Sequence, residues 1–246
     1  MRWLLLLLLS SLALAQGVTV GPKVTVGPKV TLGVGTSGGT ITFVNAGTFD
    51  GAGSASTFST SSGTTQNLTV GNINVCFIRD GGAATVSAVS DGLNTYNLAT
   101  GSRQNSASAN TEIWAANITT GGSSVGVSVT VTAPETFNAI ICGQYNRSTT
   151  LSFDVAAISV TTGSITTDTT QSFTPAGAGE LCVAGGSQTV GGGSWSAGLG
   201  YNLRTHSGSS TDVNTEDTLS SASGSQTASI TYSVASGMNI SLACYK

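Results

Sequence analysis

Charge is what this sequence has least of. Only 8% of its 246 residues are charged, eight Lys and Arg against eleven Asp and Glu, for a net charge of −3. Binding a nucleic-acid backbone requires clustered cations to neutralise phosphates, and no run of Lys or Arg occurs, so nucleic acid is excluded as a partner. Histidine occurs once, at His206, and there is no Cys-x-x-Cys pair, so the usual donor set of a zinc site is missing and no metal or other cofactor is expected. The same histidine would have to serve any Ser-His-Asp triad. Ser207 and Asp212 are near it in sequence, but no Gly-x-Ser-x-Gly elbow flanks it, and it reads as an exposed turn residue. The long helix formers Glu, Lys, Gln and Arg are scarce, and no stretch keeps a 3.6-residue period, so helices are not expected.

What is abundant is Ser, Thr and Gly, with Val, Ile, Phe and Tyr at strand-like intervals. Thr suits a pleated surface through its branched Cβ, while Gly and Ser mark turns. The sequence therefore predicts an all-β protein. Residues 1–15 combine Arg2, the run Leu4 to Leu9 and the Ala13-Leu14-Ala15 site, the pattern of a secretory signal peptide. The apolar run is too short to span a bilayer, and no later segment suggests a membrane span, so a secreted or surface location is expected. Residues 16–39 form an arm: Val18-Thr19-Val20-Gly21-Pro22-Lys23 repeats as Val24 to Lys29 and is echoed at Val30 to Gly33. Each unit alternates like a strand and is then broken by Gly-Pro, so it can pair on one edge only. It is read either as a linker or as a strand offered to another copy of the protein or to a surface protein.

Residues 40–246 are assigned to a β-sandwich containing an internal duplication at a spacing of about a hundred residues. Thr64 to Thr69 is matched by Thr169 to Thr174, Val75-Cys76 by Leu181-Cys182, and Tyr96 to Thr100 by Tyr201 to Thr205. Asn110-Thr111-Glu112 recurs as Asn214-Thr215-Glu216, Val127 to Val131 as Ala228 to Tyr232, and Ile141-Cys142 as Ala243-Cys244. The repeats are placed at 64–145 and 169–246, with a linker at 146–168 that holds a strand around Ser152 to Ile158. The span Thr48 to Thr65 reads as a spacer after a first strand near Thr40 to Val44. Each repeat is divided into five strands, expected at 73–79, 85–98, 112–118, 125–132 and 138–145, then at 180–185, 195–204, 214–219, 227–233 and 239–245. Because each repeat is small, the two are expected to pack face to face as one antiparallel sandwich.

From about residue 64 to 246, Val89-Ser90-Asp91-Gly92 with Asn94-Thr95-Tyr96, Ile113 to Ile118 and the Val125 to Val131 alternation make the chain similar to jelly-roll sandwich modules. These are of the concanavalin A-like lectin type, found in bacterial exported and phage structural proteins. The resemblance implies a β-sandwich with a binding or structural role and carries over no catalytic or ligand-binding residue.

Cys76, Cys142, Cys182 and Cys244 occupy equivalent strands, and an even count in an exported chain suggests two disulfides, with all three connectivities open. The duplicated Glu112 and Glu216 would serve glycoside hydrolysis only if they faced each other across a cleft; repetition alone accounts for them. Asp91 reads as a turn residue capping its own backbone. Trp114, Trp195 and Tyr201 are the aromatic candidates for a sugar-binding surface, with Trp195, after Gly191 to Ser194, expected on an exposed loop. The composite expectation is a non-enzymatic structural or adhesive surface protein, with a lectin-like glycan-binding module as the alternative.

Overall fold

The computed structural model describes residues 40–246 except 83, 106–108, 160–162 and 208–211. The expected signal peptide and arm therefore lie outside the described residues. Apart from one 3₁₀ turn at Thr60–Ser62, every regular element described is a β-strand, and all strand pairs are antiparallel. No helix among the described residues is long and apolar enough to cross a membrane.

The first half contains β1 (Thr42–Gly51), β2 (Ala55–Ser59), β3 (Gln66–Leu68), β4 (Ile73–Asp80), β5 (Val86–Ser90) and β6 (Asn97–Leu98). It continues with β7 (Gln104–Asn105), β8 (Asn110–Asn117), β9 (Gly122–Val125), β10 (Ser128–Glu135) and β11 (Asn138–Asn146). The second half contains β12 (Phe153–Ile158), β13 (Ser164–Thr169), β14 (Leu181–Gln188) and β15 (Trp195–Ser196). It ends with β16 (Asn202–Ser207), β17 (Val213–Thr218) and β18 (Ser229–Tyr245).

The same strand order appears in both halves. One inner sheet runs β1-β11-β4-β8-β6, and the other runs β12-β18-β14-β17-β16. Each inner sheet carries an outer one: β2-β10-β5 in the first half, and β13 and β15 flanking β18 in the second. A single strand can serve both sheets because β18 is 17 residues long. Its first part pairs with β13 and β15, and its last part with β12 and β14. The turn expected between 233 and 239 is therefore absent, whereas in the first half Thr136-Phe137 does break β10 from β11.

Three apolar layers hold these sheets together. Val75, Phe77, Ile113 and Ile141 of one inner sheet meet Leu181, Val183, Val213 and Ala243 of the other. Residues alternate faces along a strand, so Cys76, Ile78, Ile140 and Cys142 point the opposite way, onto Phe58, Val89, Val129 and Val131 of the first outer sheet. Cys182, Ala184, Ile240 and Leu242 likewise face Trp195, Ile230 and Tyr232. The all-β antiparallel sandwich expected from sequence is thus present, but as two sandwiches stacked back to back in four layers, not as ten strands in two. The inner strands β4 and β14 are buried along their whole length, as strands covered on both faces must be.

The repeat boundaries also move. The expected spacer Thr48 to Thr65 contains the end of β1 and all of β2, and the expected linker 146–168 contains β12 and most of β13. Thr60 Oγ1 accepts from the Val127 amide and Thr170 Oγ1 from the Ala228 amide, so Thr170 corresponds to Thr60, not to Thr65. Asn110-Thr111-Glu112 and Asn214-Thr215-Glu216 do coincide. Glu112 lies opposite Ile78, Glu216 opposite Ala184, and each of those partners is two residues beyond the first cysteine of its half.

Both expected disulfides form, Cys76–Cys142 and Cys182–Cys244, each across the two middle strands of an inner sheet. They close segments with sequence separations of 66 and 62, a size for which loop-closure entropy is worth roughly 4 kcal/mol per bridge. Intact mass without reductant should be lower than that of the reduced chain by two hydrogens per bridge, and reduction should lower the melting temperature by more than ten degrees at this chain length (order of magnitude, ~2–4 °C per kcal/mol). Four thiols alkylated after denaturation without reductant would contradict this.

Between the halves the tightest fit is at Gly185, where an added Cβ would lie 2.0 Å from Phe77 Cδ2. A rigid ring between two filled layers cannot move aside cheaply. Gly185→Ala should therefore cost about 1–3 kcal/mol in denaturant titration, and Phe77→Leu in the same chain should return part of that loss.

Candidate functional site

The aromatic candidates do not form one surface. Trp195 is only 8% exposed and packs against Tyr232 with ring centroids 4.6 Å apart and the planes tilted by 50°. The glycines before it carry no exposed indole: Trp195 begins β15 and faces inward opposite Tyr232. The expectation that Trp195 is exposed on a loop is therefore incorrect. Trp114 lies in the other half, where its Nε1 donates to Glu112 Oε2 at 2.9 Å. Among the described residues Tyr201 lines an open cleft.

That cleft, of about 340 Å³, lies between the turn Leu199-Gly200-Tyr201 and residues Thr218, Ser220 and Gln226. Local sequence shapes the turn. Gly200 has φ +84, a left-handed value that suits glycine. Gly198 has no room for a side chain, since a Cβ would meet Ser229 O at 2.1 Å. Its amide donates to Glu216 Oε2 at 2.8 Å. Leu199 is left fully exposed at the tip.

The expected match of Tyr96 with Tyr201 does not hold in register: Leu98 faces Trp114, and Tyr201, one residue before the Asn202 that faces Asp217, falls at the position of Leu98. Trp114 stands opposite Cys76, and Thr218 stands opposite Cys182; the indole of one repeat is a threonine in the other. The preceding loop of the first half is also pinned. Asp91 Oδ1 accepts from the Leu93 and Asn94 amides, both at 2.7 Å, the self-capped turn expected from sequence. Asn94 Oδ1 accepts from the Thr119 and Thr120 amides at 2.9 and 3.0 Å. The Tyr96 hydroxyl accepts from Asn74 Nδ2 at 2.9 Å and donates to Asp91 Oδ2 at 3.3 Å. The Tyr201 hydroxyl is buried without a protein partner among the described residues.

The duplicated glutamates face away from each other. Glu112 turns toward the first outer sheet, where Val86 N, Arg103 and Trp114 Nε1 all donate to it. Glu216 turns toward the second, with both inner sheets between them. The paired-acid arrangement is therefore not built. Glu216 has no arginine, and its Oε1 is buried without a partner; burial pushes its carboxyl up to about 8. Burial, with Glu112 and Glu135 nearby, pushes Asp80 up to about 7.

Two features escape a reading for histidine-based chemistry. His206 is exposed on β16, not in a turn, and Asp212 is engaged with Gln188 Nε2 and the Gly192 amide, both at 3.0 Å, and with the Tyr232 hydroxyl. Ser124, at the centre of Gly122-Ser123-Ser124-Val125-Gly126, has φ 52, but its amide is held by Asn67 Oδ1 and its half contains no histidine.

Fold and site thus define a disulfide-bonded, all-β tandem sandwich with one open cleft described in its second half. The chain matches no known protein family, no curated protein and no solved structure.

The raised carboxyls set a pH dependence. A buried acid whose folded pKa exceeds its unfolded value binds its proton more tightly in the fold, so its contribution is intact at low pH and is lost as pH rises through the folded value. For Glu216 that window runs from its ordinary value of 4.5 to about 8, and for Asp80 from 3.8 to about 7. The melting temperature should fall between pH 5 and pH 9, and Glu216→Gln should flatten the alkaline part of that decline. A profile that rises over this range, or that Glu216→Gln leaves unchanged, would contradict the assignment.

Proposed function

We propose that this chain is a secreted, non-catalytic structural or adhesive surface protein that joins copies of itself through its N-terminal arm. The observation that carries this reading is the double reinforcement of the core. Each inner sheet is covered on both faces and cross-linked through its two middle strands. Intrachain disulfides are compatible with an oxidising, extracellular compartment, and a durable body with low charge suits a passive role at a surface. The resemblance of residues 64–246 to jelly-roll modules of exported and phage structural proteins points the same way.

The arm supplies the assembly element. Its Val-Thr-Val-Gly-Pro-Lys units lead into β1, an edge strand of the first inner sheet. A proline-punctuated strand can pair along one side only, which favours exchange with a neighbour over insertion into its own sheet. Residues 1–15 direct export and are removed.

Deleting residues 16–34 should leave circular dichroism and melting temperature unchanged while abolishing large species in sedimentation velocity and in negative-stain images. A truncated chain that assembles as well as the full one, or that does not fold, would assign the arm to a linker or to the core.

A further inference from the structure

The two halves differ in charge at a corner that strand register makes equivalent. In the first half, Asn74 stands two residues before Cys76 and opposite Gln144, which is two residues after Cys142. Gln144 Nε2 donates to Asn45 Oδ1 on the edge strand β1 at 3.2 Å, and Gln66 Nε2 donates to Asn45 Oδ1 and Asn74 Oδ1. That corner is a network of neutral amides. In the second half the residues two before Cys182 and two after Cys244 are Glu180 and Lys246, and the edge strand β12 adds Asp154.

Asp154 is the extra residue of a bulge between the pairs Phe153–Tyr245 and Val155–Cys244. Bulges re-aim side chains, and here Asp154 Oδ1 lies 2.5 Å from Lys246 Nζ. Lys246 is the only lysine among the described residues. Its side chain is half exposed, whereas that of Asp154 is buried. A loop closes the other side: the Ala176 amide donates to Asp154 Oδ2 at 2.8 Å and the Gly177 amide to Glu180 Oε1 at 2.9 Å. Glu180 is buried, and no donor among the described residues meets its Oε2. Burial, with the Asp154 carboxyl beside it, pushes the Glu180 carboxyl up and favours a proton shared between the two acids. Against its own burial, the hydrogen bond from Lys246 holds Asp154 below the usual carboxylate value, so amine and acid rest as an ion pair.

We propose that this corner forms its own covalent cross-link, an isopeptide bond between Lys246 Nζ and Asp154 Cγ, with Glu180 as the proton donor. Lys246 Nζ first gives one proton to the Asp154 carboxylate and then attacks Cγ. The Nζ–Cγ bond forms, the bond from Cγ to one carboxyl oxygen breaks, and that oxygen leaves as water with two protons from the ammonium. Glu180 lends its proton to the Asp154 oxygen during attack and recovers one as water leaves. Groups held in contact react with effective molarities of roughly 10⁵–10⁸ M, which favours a condensation that dilute amine and acid do not complete in water. The bond ties the edge strand β12 to β18 beside the Cys182–Cys244 bridge and so keeps its end from peeling away. The proposal concerns the second half alone and stands whether or not the arm drives assembly.

The test uses the full exported chain, reduced and alkylated. Its intact mass should be one water below the calculated value. Trypsin cuts after Arg147 and Arg204, and the peptides 148–204 and 205–246 should stay joined although Cys182–Cys244 has been reduced. Fragmentation of the joined peptides should place the link at Asp154 and Lys246. Lys246→Arg keeps the ion pair without a nucleophilic amine, so the missing water and the joined peptides should both disappear. Asp154→Asn should lose ammonia in place of water. Glu180→Gln should slow formation about a hundredfold or more, the worth of a positioned proton donor, with circular dichroism unchanged. The proposal is overturned if the parent keeps its full mass and yields two separate peptides after prolonged incubation, if the link maps to other residues, or if Glu180→Gln cross-links as fast as the parent.

Discussion

Covering both faces of the two inner sheets is the constraint on which the rest of this structure depends. A strand sheet with one apolar face needs one partner layer, whereas β4 and β14 are buried along their whole length and need two. The central layer, with Phe77 seated on Gly185, supplies one partner and each outer sheet supplies the other. Around this centre the contacts turn polar. Thr111 Oγ1 meets Ser241 Oγ at 2.7 Å, Gln104 Nε2 donates to Asn239 Oδ1 at 3.1 Å, and the Arg204 guanidinium sits 5.0 Å from the Phe43 ring centroid. Neither half would keep its inner sheet dry without the other, so the halves form one stability unit.

The two halves share one order of strands, while their edges differ. The disulfides, the Thr60 and Thr170 hydroxyls and the Asn-Thr-Glu segments coincide because they sit where strand register admits no slip. The ends of the strands are freer. Each half closes with a Phe–Tyr edge-on pair, Phe43 with Tyr145 and Phe153 with Tyr245. Yet Tyr145 is three residues past its cysteine and Tyr245 only one. The acids differ as well: Glu112 is paired with Arg103, while burial pushes the Glu216 carboxyl up to about 8. Where Trp114 stands opposite the first cysteine in one half, Thr218 stands in the other and lines a cleft.

Much of this was legible in the sequence, and the failures have physical causes. The all-β class, the strands around the cysteines, the strand near Ser152 and the Asp91 turn follow from period and turn chemistry. The four layers were missed because the residues of Ile73–Asp80 do not alternate, and a run without alternation marks a strand covered on both sides. Thr64 to Thr69 resembles Thr169 to Thr174 more than Thr57 to Thr60 does, so letter identity misplaced the boundary that hydrogen bonding at Thr170 locates. Trp195 follows three glycines, a signal for a loop, but Tyr232 on the neighbouring strand draws its ring inward.

By itself the sequence determined the class of fold and the cysteines available for bridging, because these depend on residue type and on spacing along one chain. Tertiary structure alone decided which cysteines joined, which glutamate found a cation and whether Tyr201 or Trp195 met solvent. Those outcomes depend on which residue stands opposite which across strands far apart in the chain. A shift of one residue in that pairing turns a side chain to the other face, and the distance between pairing partners in sequence carries no record of it.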